Sequence, residues 1–164
     1  GLGQAAFWKR VFVTQSGGSR YESGRNIPRS VMTLLRLVYT LPGDAEAFLA
    51  QLRAPYQTLP PVRVKLYKEA RSGADLKILR KALGINQTTF WDGLQATQSG
   101  GSRYESGRNI PASIRALIIL VFGTEHHARQ QLEALRELAR DKLSKPRAPI
   151  AAAPSSAPEA AARR

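Results

Sequence analysis

"TQSGGSRYESGRNIP" runs from Thr14 to Pro28 and returns, letter for letter, from Thr97 to Pro111. Such an identity inside a chain of 164 residues marks an internal repeat, and a repeat governs the reading of the fold before any other signal. At the same offset of 83 residues, Gln4, Phe7 and Trp8 meet Gln87, Phe90 and Trp91. Downstream, Leu34, Leu37 and Val38 meet Leu117, Leu120 and Val121, and Ala45, Leu49, Leu52 and Arg53 meet Ala128, Leu132, Leu135 and Arg136. No gap is needed. The expected organisation is a first copy over residues 1–53, a linker over 54–74, a second copy over 75–144 and a tail over 145–164. The linker holds Pro55, Pro60 and Pro61. The tail, "KPRAPIAAAPSSAPEAAARR", has too few bulky apolar side chains to bury and is expected to be disordered.

Each copy reads as helices. "QTTFWDGL" starts one after Asn86; "TQSGGSRYES" starts another, with Thr97 as N-cap and Gly107 just past its end. "PASIRALIILVFG" opens with Pro111 and carries Ile114, Leu117, Ile118 and Val121 on one stripe. "HHARQQLEALRELARDKL" is a last amphipathic helix, with Leu132, Leu135, Leu138 and Leu143. The second copy is preceded by "ADLKILRKALGIN", with Leu76, Leu79 and Leu83 at helical spacing and Asp75 placed to cap it. Only three residues precede Gln4, so the first copy lacks this opening helix. Something is then expected to cover Phe7, Leu34 and Leu37: an upstream extension, residues 62–71, or another protomer. Only Val62, Val64 and Leu66 alternate as a strand would. The fold class is all-α: two repeated helical bundles joined by a linker.

Composition narrows the function. The net charge is +13, which suits a polyanion, most often nucleic acid. With no cysteine, disulfides, thiol nucleophiles and thiolate metal sites are excluded. No apolar run is long enough to span a bilayer, and "GLGQAAFWKR" lacks a signal peptide's apolar core. A cytoplasmic, nucleoid-associated protein without membrane contact is expected. His126 and His127 are neighbours on a helix, so they point apart and make no metal site. "SGGSR" lacks the Lys-Ser/Thr ending of a phosphate loop. No catalytic residue, metal or cofactor is expected, and the protein does not read as an enzyme.

A short helix opening with Gln, a tight turn, then a helix opening Thr-Gln-Ser: this order resembles the lambda-repressor/Cro-like helix-turn-helix family. The motif is Thr97, Gln98, Ser99, Ser102, Arg103, Tyr104, Glu105, Gly107, Arg108, Asn109 and Pro111, repeated as Thr14, Gln15, Ser16, Ser19, Arg20, Tyr21, Glu22, Gly24, Arg25, Asn26 and Pro28. The resemblance implies a tandem, double-stranded-DNA-binding transcriptional regulator, acting as a homodimer or an intramolecular pseudo-dimer. Its recognition helices lie in the major groove, where Gln is a bidentate partner for adenine and Arg for guanine. Gln15, Ser16, Ser19, Arg20, Gln98, Ser99, Ser102 and Arg103 are thereby the base contacts. Arg25, Asn26, Arg108 and Asn109, in the loop that follows, and Gln4 and Gln87, at a helix start, are the phosphate contacts.

Tyr21 and Tyr104 fall on the far side of the recognition helix and are expected in the core. Phe7, Trp8, Phe90 and Trp91 are expected there too, rather than as base-stacking platforms. Glu105 is expected to brace Arg103 or a helix end. Two departures stand out. Phe12 and Gln95 occupy a turn position where the family often has Gly, and a left-handed conformation there is costly for any other residue. Gly100 and Gly101 lie inside the recognition helix; the pair either starts the helix late or lets the backbone come close to DNA. A different class of function fits the charge equally, a low-specificity nucleoid-type protein that coats DNA. A third is a partner-binding module built on the same surface.

Overall fold

The computed structural model describes residues 3–61 and 72–140, with side chains described as far as residue 138. The strand-like run from Val62 to Leu66, Leu143 and the tail lie outside the described residues, as does the suggestion that residues 62–71 cover the first copy. Among the described residues there is no β-strand, and the all-α expectation holds.

The first copy forms α1 (Gln4–Lys9), α2 (Gln15–Glu22), α3 (Arg29–Tyr39) and α4 (Pro42–Arg53), followed by a single 3₁₀ turn at Ala54–Tyr56. The second forms α5 (Gly73–Ala82), α6 (Gln87–Gly93), α7 (Gln98–Glu105), α8 (Ala112–Phe122) and α9 (Glu125–Arg140). The starts of α6 to α9 lie 83 residues after those of α1 to α4, and α5 has no counterpart among the described residues.

Local chemistry sets the helix ends. Thr14 and Thr97 cap α2 and α7 by accepting from the Gly17 and Gly100 amides at 3.1 Å, and Asn86 caps α6 through the Thr89 amide at 2.8 Å. Both α2 and α7 end on a left-handed glycine, Gly24 (φ 97°) and Gly107 (φ 103°). The next amides, of Arg25 and Arg108, return to the Arg20 and Arg103 carbonyls at 3.0 Å, the Schellman closure. Asp75 is not the N-cap of α5. Ser72 is, and Asp75 returns the bond from the third helical position, to the Ser72 amide at 2.8 Å. This reciprocal pair is a capping box.

The two copies share one core. α3 packs on α8, α4 on α8, and α3 on α9, so each copy's last helix leans on the other copy's third. The contacts are isologous, each residue of one copy doing what its equivalent does in the other. Arg53 donates to the Leu120 and Gly123 carbonyls at 2.7 and 2.8 Å. Arg136, its equivalent, donates to the Leu37 and Thr40 carbonyls, each at 2.8 Å. The four carbonyls are two equivalent pairs, at the end of α3 and of α8. Ser30 and Ser113, also equivalent, meet each other through their hydroxyls at 3.2 Å in the interior. A residue that touches its own equivalent lies on a pseudo-two-fold axis. Leu34 and Leu37 are buried on α3, the helix that the second copy's α8 and α9 cover.

Candidate nucleic-acid interface

α1 packs closely on α2, and α6 on α7. In each pair, the first helix closes on a left-handed residue that is not glycine: Phe12 at φ 61° and Gln95 at φ 58°. The bonds that fix it are the same in both. The Val13 and Ala96 amides return to the Trp8 and Trp91 carbonyls at 3.0 and 2.9 Å. The sharp turn is therefore made without glycine, at a strain of roughly 1 kcal/mol in each copy.

The indole of the first helix locks the second. Trp91 is fully buried and Trp8 nearly so. A Cβ placed on Gly101 would fall 2.1–2.6 Å from the Trp91 ring, and one on Gly18 2.1–2.5 Å from Trp8. The second glycine of each pair thus faces inward, and the ring occupies the space that a side chain there would fill. It neither delays the helix, which starts at Gln15 and Gln98, nor faces outward to a ligand. Tyr21 and Tyr104 are half-buried against the same rings, centroids 5.5 and 5.4 Å apart.

The glutamates at the ends of α2 and α7 hold these rings in register. Trp8 Nε1 donates to Glu22 at 2.7 Å and Trp91 Nε1 to Glu105 at 2.9 Å. Glu105 braces neither Arg103 nor a helix end. It takes a two-pronged bond from Arg80 of α5, at 2.9 and 3.1 Å. Among the described residues Glu22 has no such partner, and Gln4 Nε2 donates to it at 2.6 Å instead. Burial alone pushes the Glu105 carboxyl upward, but bonds from Arg80, Trp91 and Gln87 bring it below the ordinary glutamate range. A depressed carboxyl contributes stability that is complete above its unfolded value and lost as pH falls through its folded one. Wild type should therefore lose stability below about pH 4.5. Glu105→Gln should be less stable at neutral pH and flatter across that acid window, as read by melting temperature against pH. Equal acid slopes for the two proteins would exclude the ion pair as the cause.

With the indoles and tyrosines inside, the outer faces of α2 and α7 carry Gln15, Ser16, Ser19 and Arg20, and Gln98, Ser99, Ser102 and Arg103, all exposed. Arg25, Asn26, Arg108 and Asn109 are exposed in the loops beyond. Among the described residues Arg20, Arg25, Arg103 and Arg108 form no ion pair. Gln4 and Gln87 are half-buried and bonded to the glutamates, which leaves one amide N–H of each for another acceptor. The helices also converge. A cleft of about 470 Å³ is lined by equivalent residues of both copies, Thr14, Gly17 and Tyr21 facing Thr97, Gly100 and Tyr104. α2 and α7 thus border one cleft beside the pseudo-two-fold axis.

The family model of the RsaL-like helix-turn-helix domain matches residues 1–38 and 77–121, just over half of the chain. The chain belongs to the RsaL-like helix-turn-helix family. The matched stretches end at Val38 and Val121, equivalent residues at the ends of α3 and α8, and between them include both helix pairs. The match supports a helix-turn-helix DNA-binding domain in this chain, and the matched stretches contain α1–α2 and α6–α7. No curated protein and no solved structure matches the chain significantly. Among the described residues no helix is long and apolar enough to cross a membrane.

The inter-copy arginine clamp escaped the sequence reading. Arg53 and Arg136 stand in register beside the matched apolar pairs Ala45/Ala128, Leu49/Leu132 and Leu52/Leu135, and a charged residue kept among apolar matches is the available signal.

Proposed function

We propose that the chain is a sequence-specific regulator of transcription that reads double-stranded DNA as an intramolecular pseudo-dimer. α2 and α7 each enter the major groove in the manner of the lambda-repressor/Cro-like proteins. Gln15, Ser16, Ser19 and Arg20 read one half-site; Gln98, Ser99, Ser102 and Arg103 read the same word in the other. Arg25, Asn26, Arg108 and Asn109 hold phosphates, and the remaining N–H groups of Gln4 and Gln87 do so at the helix starts. One observation carries this reading: identical exposed side chains on two helices related by a pseudo-two-fold axis and opening on one cleft. Two-fold modules meet the antiparallel strands of a duplex alike, so the words should be inverted.

Selection of bound duplexes from a random pool tests the reading, followed by two kinds of substitution. Arg103→Ala and Arg20→Ala should each cost about 1–3 kcal/mol and relax base preference in one half-site. Arg108→Ala should weaken all sequences alike and make the salt slope shallower by about one unit. If Arg108→Ala changed the preferred sequence and Arg103→Ala did not, the roles would be reversed. A pool without any enriched word, bound at a uniform affinity, would point to a DNA-coating protein instead.

A further inference from the structure

The two copies part at Arg10. Its equivalent is Gly93, where a Cβ would fall 2.9 Å from both Phe122 Cζ and Tyr56 Cζ. Tyr56 fills that site in the second copy: its ring meets Phe122 edge-on at 5.0 Å, and its hydroxyl donates to the Thr89 carbonyl at 3.3 Å. The residue equivalent to Tyr56, 83 positions on, is Ala139, which offers no ring. In the first copy the corresponding place is a groove of about 700 Å³ lined by Ala5, Ala6, Arg10, Phe12, Leu135 and Leu138 among others. Phe12 and Leu138 are 43% and 63% exposed at its edge.

Arg10 is 8% exposed, and its Nε, Nη1 and Nη2 are closed off from water without a hydrogen-bond partner. A guanidinium has five N–H donors and no acceptor of its own. Leaving such a cation buried and unpaired is among the costlier arrangements a fold can hold. Among the described residues no carboxylate lines the groove, and Lys9, also on its wall, adds a second positive charge. The volume falls in the range of small-molecule sites, which combine apolar walls with a few polar groups that orient the ligand.

We propose that this groove is a binding site for an amphipathic organic carboxylate, its carboxylate paired with Arg10 once the guanidinium, sealed in the ligand-free protein, turns into the groove, and its apolar body along Ala5, Ala6, Phe12, Leu135 and Leu138. A carboxylate matches the guanidinium fork with two parallel bonds. Thr14 and Gln15 also line the groove, so the ligand would lie against the cap and first residue of α2.

Titration of the full chain without DNA tests this, so its outcome is separate from that of the DNA reading. The probes are decanoate below its micellar concentration, decanol and acetate, followed by calorimetry. Decanoate should saturate one site at least ten-fold more tightly than either of the other two, since each of them lacks one half of the match. Arg10→Met should remove that preference, while Lys77→Gln, which lowers the net charge equally from an exposed position on α5, should keep it. Without ligand, Arg10→Met should melt above wild type, because an unpaired buried charge is replaced by an apolar chain of similar length. Equal decanoate affinity in wild type and Arg10→Met, or no preference for decanoate over decanol, overturns the site. A lower melting point for ligand-free Arg10→Met would overturn it too, by showing that the guanidinium already has its acceptors.

Discussion

Gly101→Ala should destabilise the protein by about 3 kcal/mol or more, at the upper end of what overpacking a core costs. For a chain of this size that lowers the melting temperature by roughly 6–12 °C. The added methyl would overlap three atoms of the Trp91 ring at 2.1–2.6 Å. The ring has nowhere to go. It is fully buried, tied to Glu105 through its N–H at 2.9 Å, and set edge-on against Phe90 with centroids 5.3 Å apart. Helix propensity works the other way, favouring Ala over Gly by about 1 kcal/mol, and Gly43→Ala isolates that effect. Gly43 lies in α4 with open space around its Cβ position, so its substitution should be neutral or mildly stabilising. Trp91→Leu is itself costly, but should remove most of the additional penalty of Gly101→Ala, leaving a coupling well above the few tenths of a kcal/mol seen for independent sites. If Gly101→Ala matched Gly43→Ala, the indole would not be what fixes the second helix on the first.

That contact shows where sequence reading stops. Caps and turns were legible because they are local. Thr97 and Gly107 sit within one helix turn of the groups they satisfy. Asp75 is local too: "SGAD" holds both halves of a capping box, and the spacing alone does not say that Ser72 rather than Asp75 is the cap. The Gly101–Trp91 contact joins two helices, and nothing in the spacing of the two residues announces it. The sequence offers a late helix start or a close approach to DNA for the glycine pair; instead its second member faces the core.

The shared core had left a trace that was read too narrowly. Four residues of α8 were assigned to one apolar stripe, yet nine of its eleven residues are buried, Ala116, Ile119, Leu120 and Phe122 among them. A helix apolar on every side is buried on every side, and a bundle of three short neighbours cannot enclose it. α4 of the other copy completes the enclosure. The eight side chains proposed to read bases, by contrast, are exposed, as the identical polar face of the two helices led one to expect.

Inserting five base pairs between the two words of the selected site should abolish most of the specific affinity, a loss on the order of 10³-fold or more. The proposed half-sites lie about one helical turn apart, or a multiple of it, as in other two-fold helix-turn-helix proteins. Five extra pairs add about 17 Å and half a turn, which carries the second word to the opposite side of the duplex. A protein with two modules on a slack tether could follow it. This chain is built otherwise. The modules are joined through α3, α4, α8 and α9, with Arg53 and Arg136 each gripping the other copy's backbone and Ser30 against Ser113 at the axis. Moving α2 relative to α7 by that distance would mean opening the core. Scrambling one word should have a similar effect, and in both cases the residual binding should keep the steep salt dependence of phosphate contacts alone. Ten inserted pairs restore the face but not the distance, so a rigid pseudo-dimer should fail there as well, whereas tethered modules would recover. Should the five-pair or the ten-pair duplex bind as tightly as the selected site, the two helices do not act as one rigid reading head, and the pseudo-dimer reading falls.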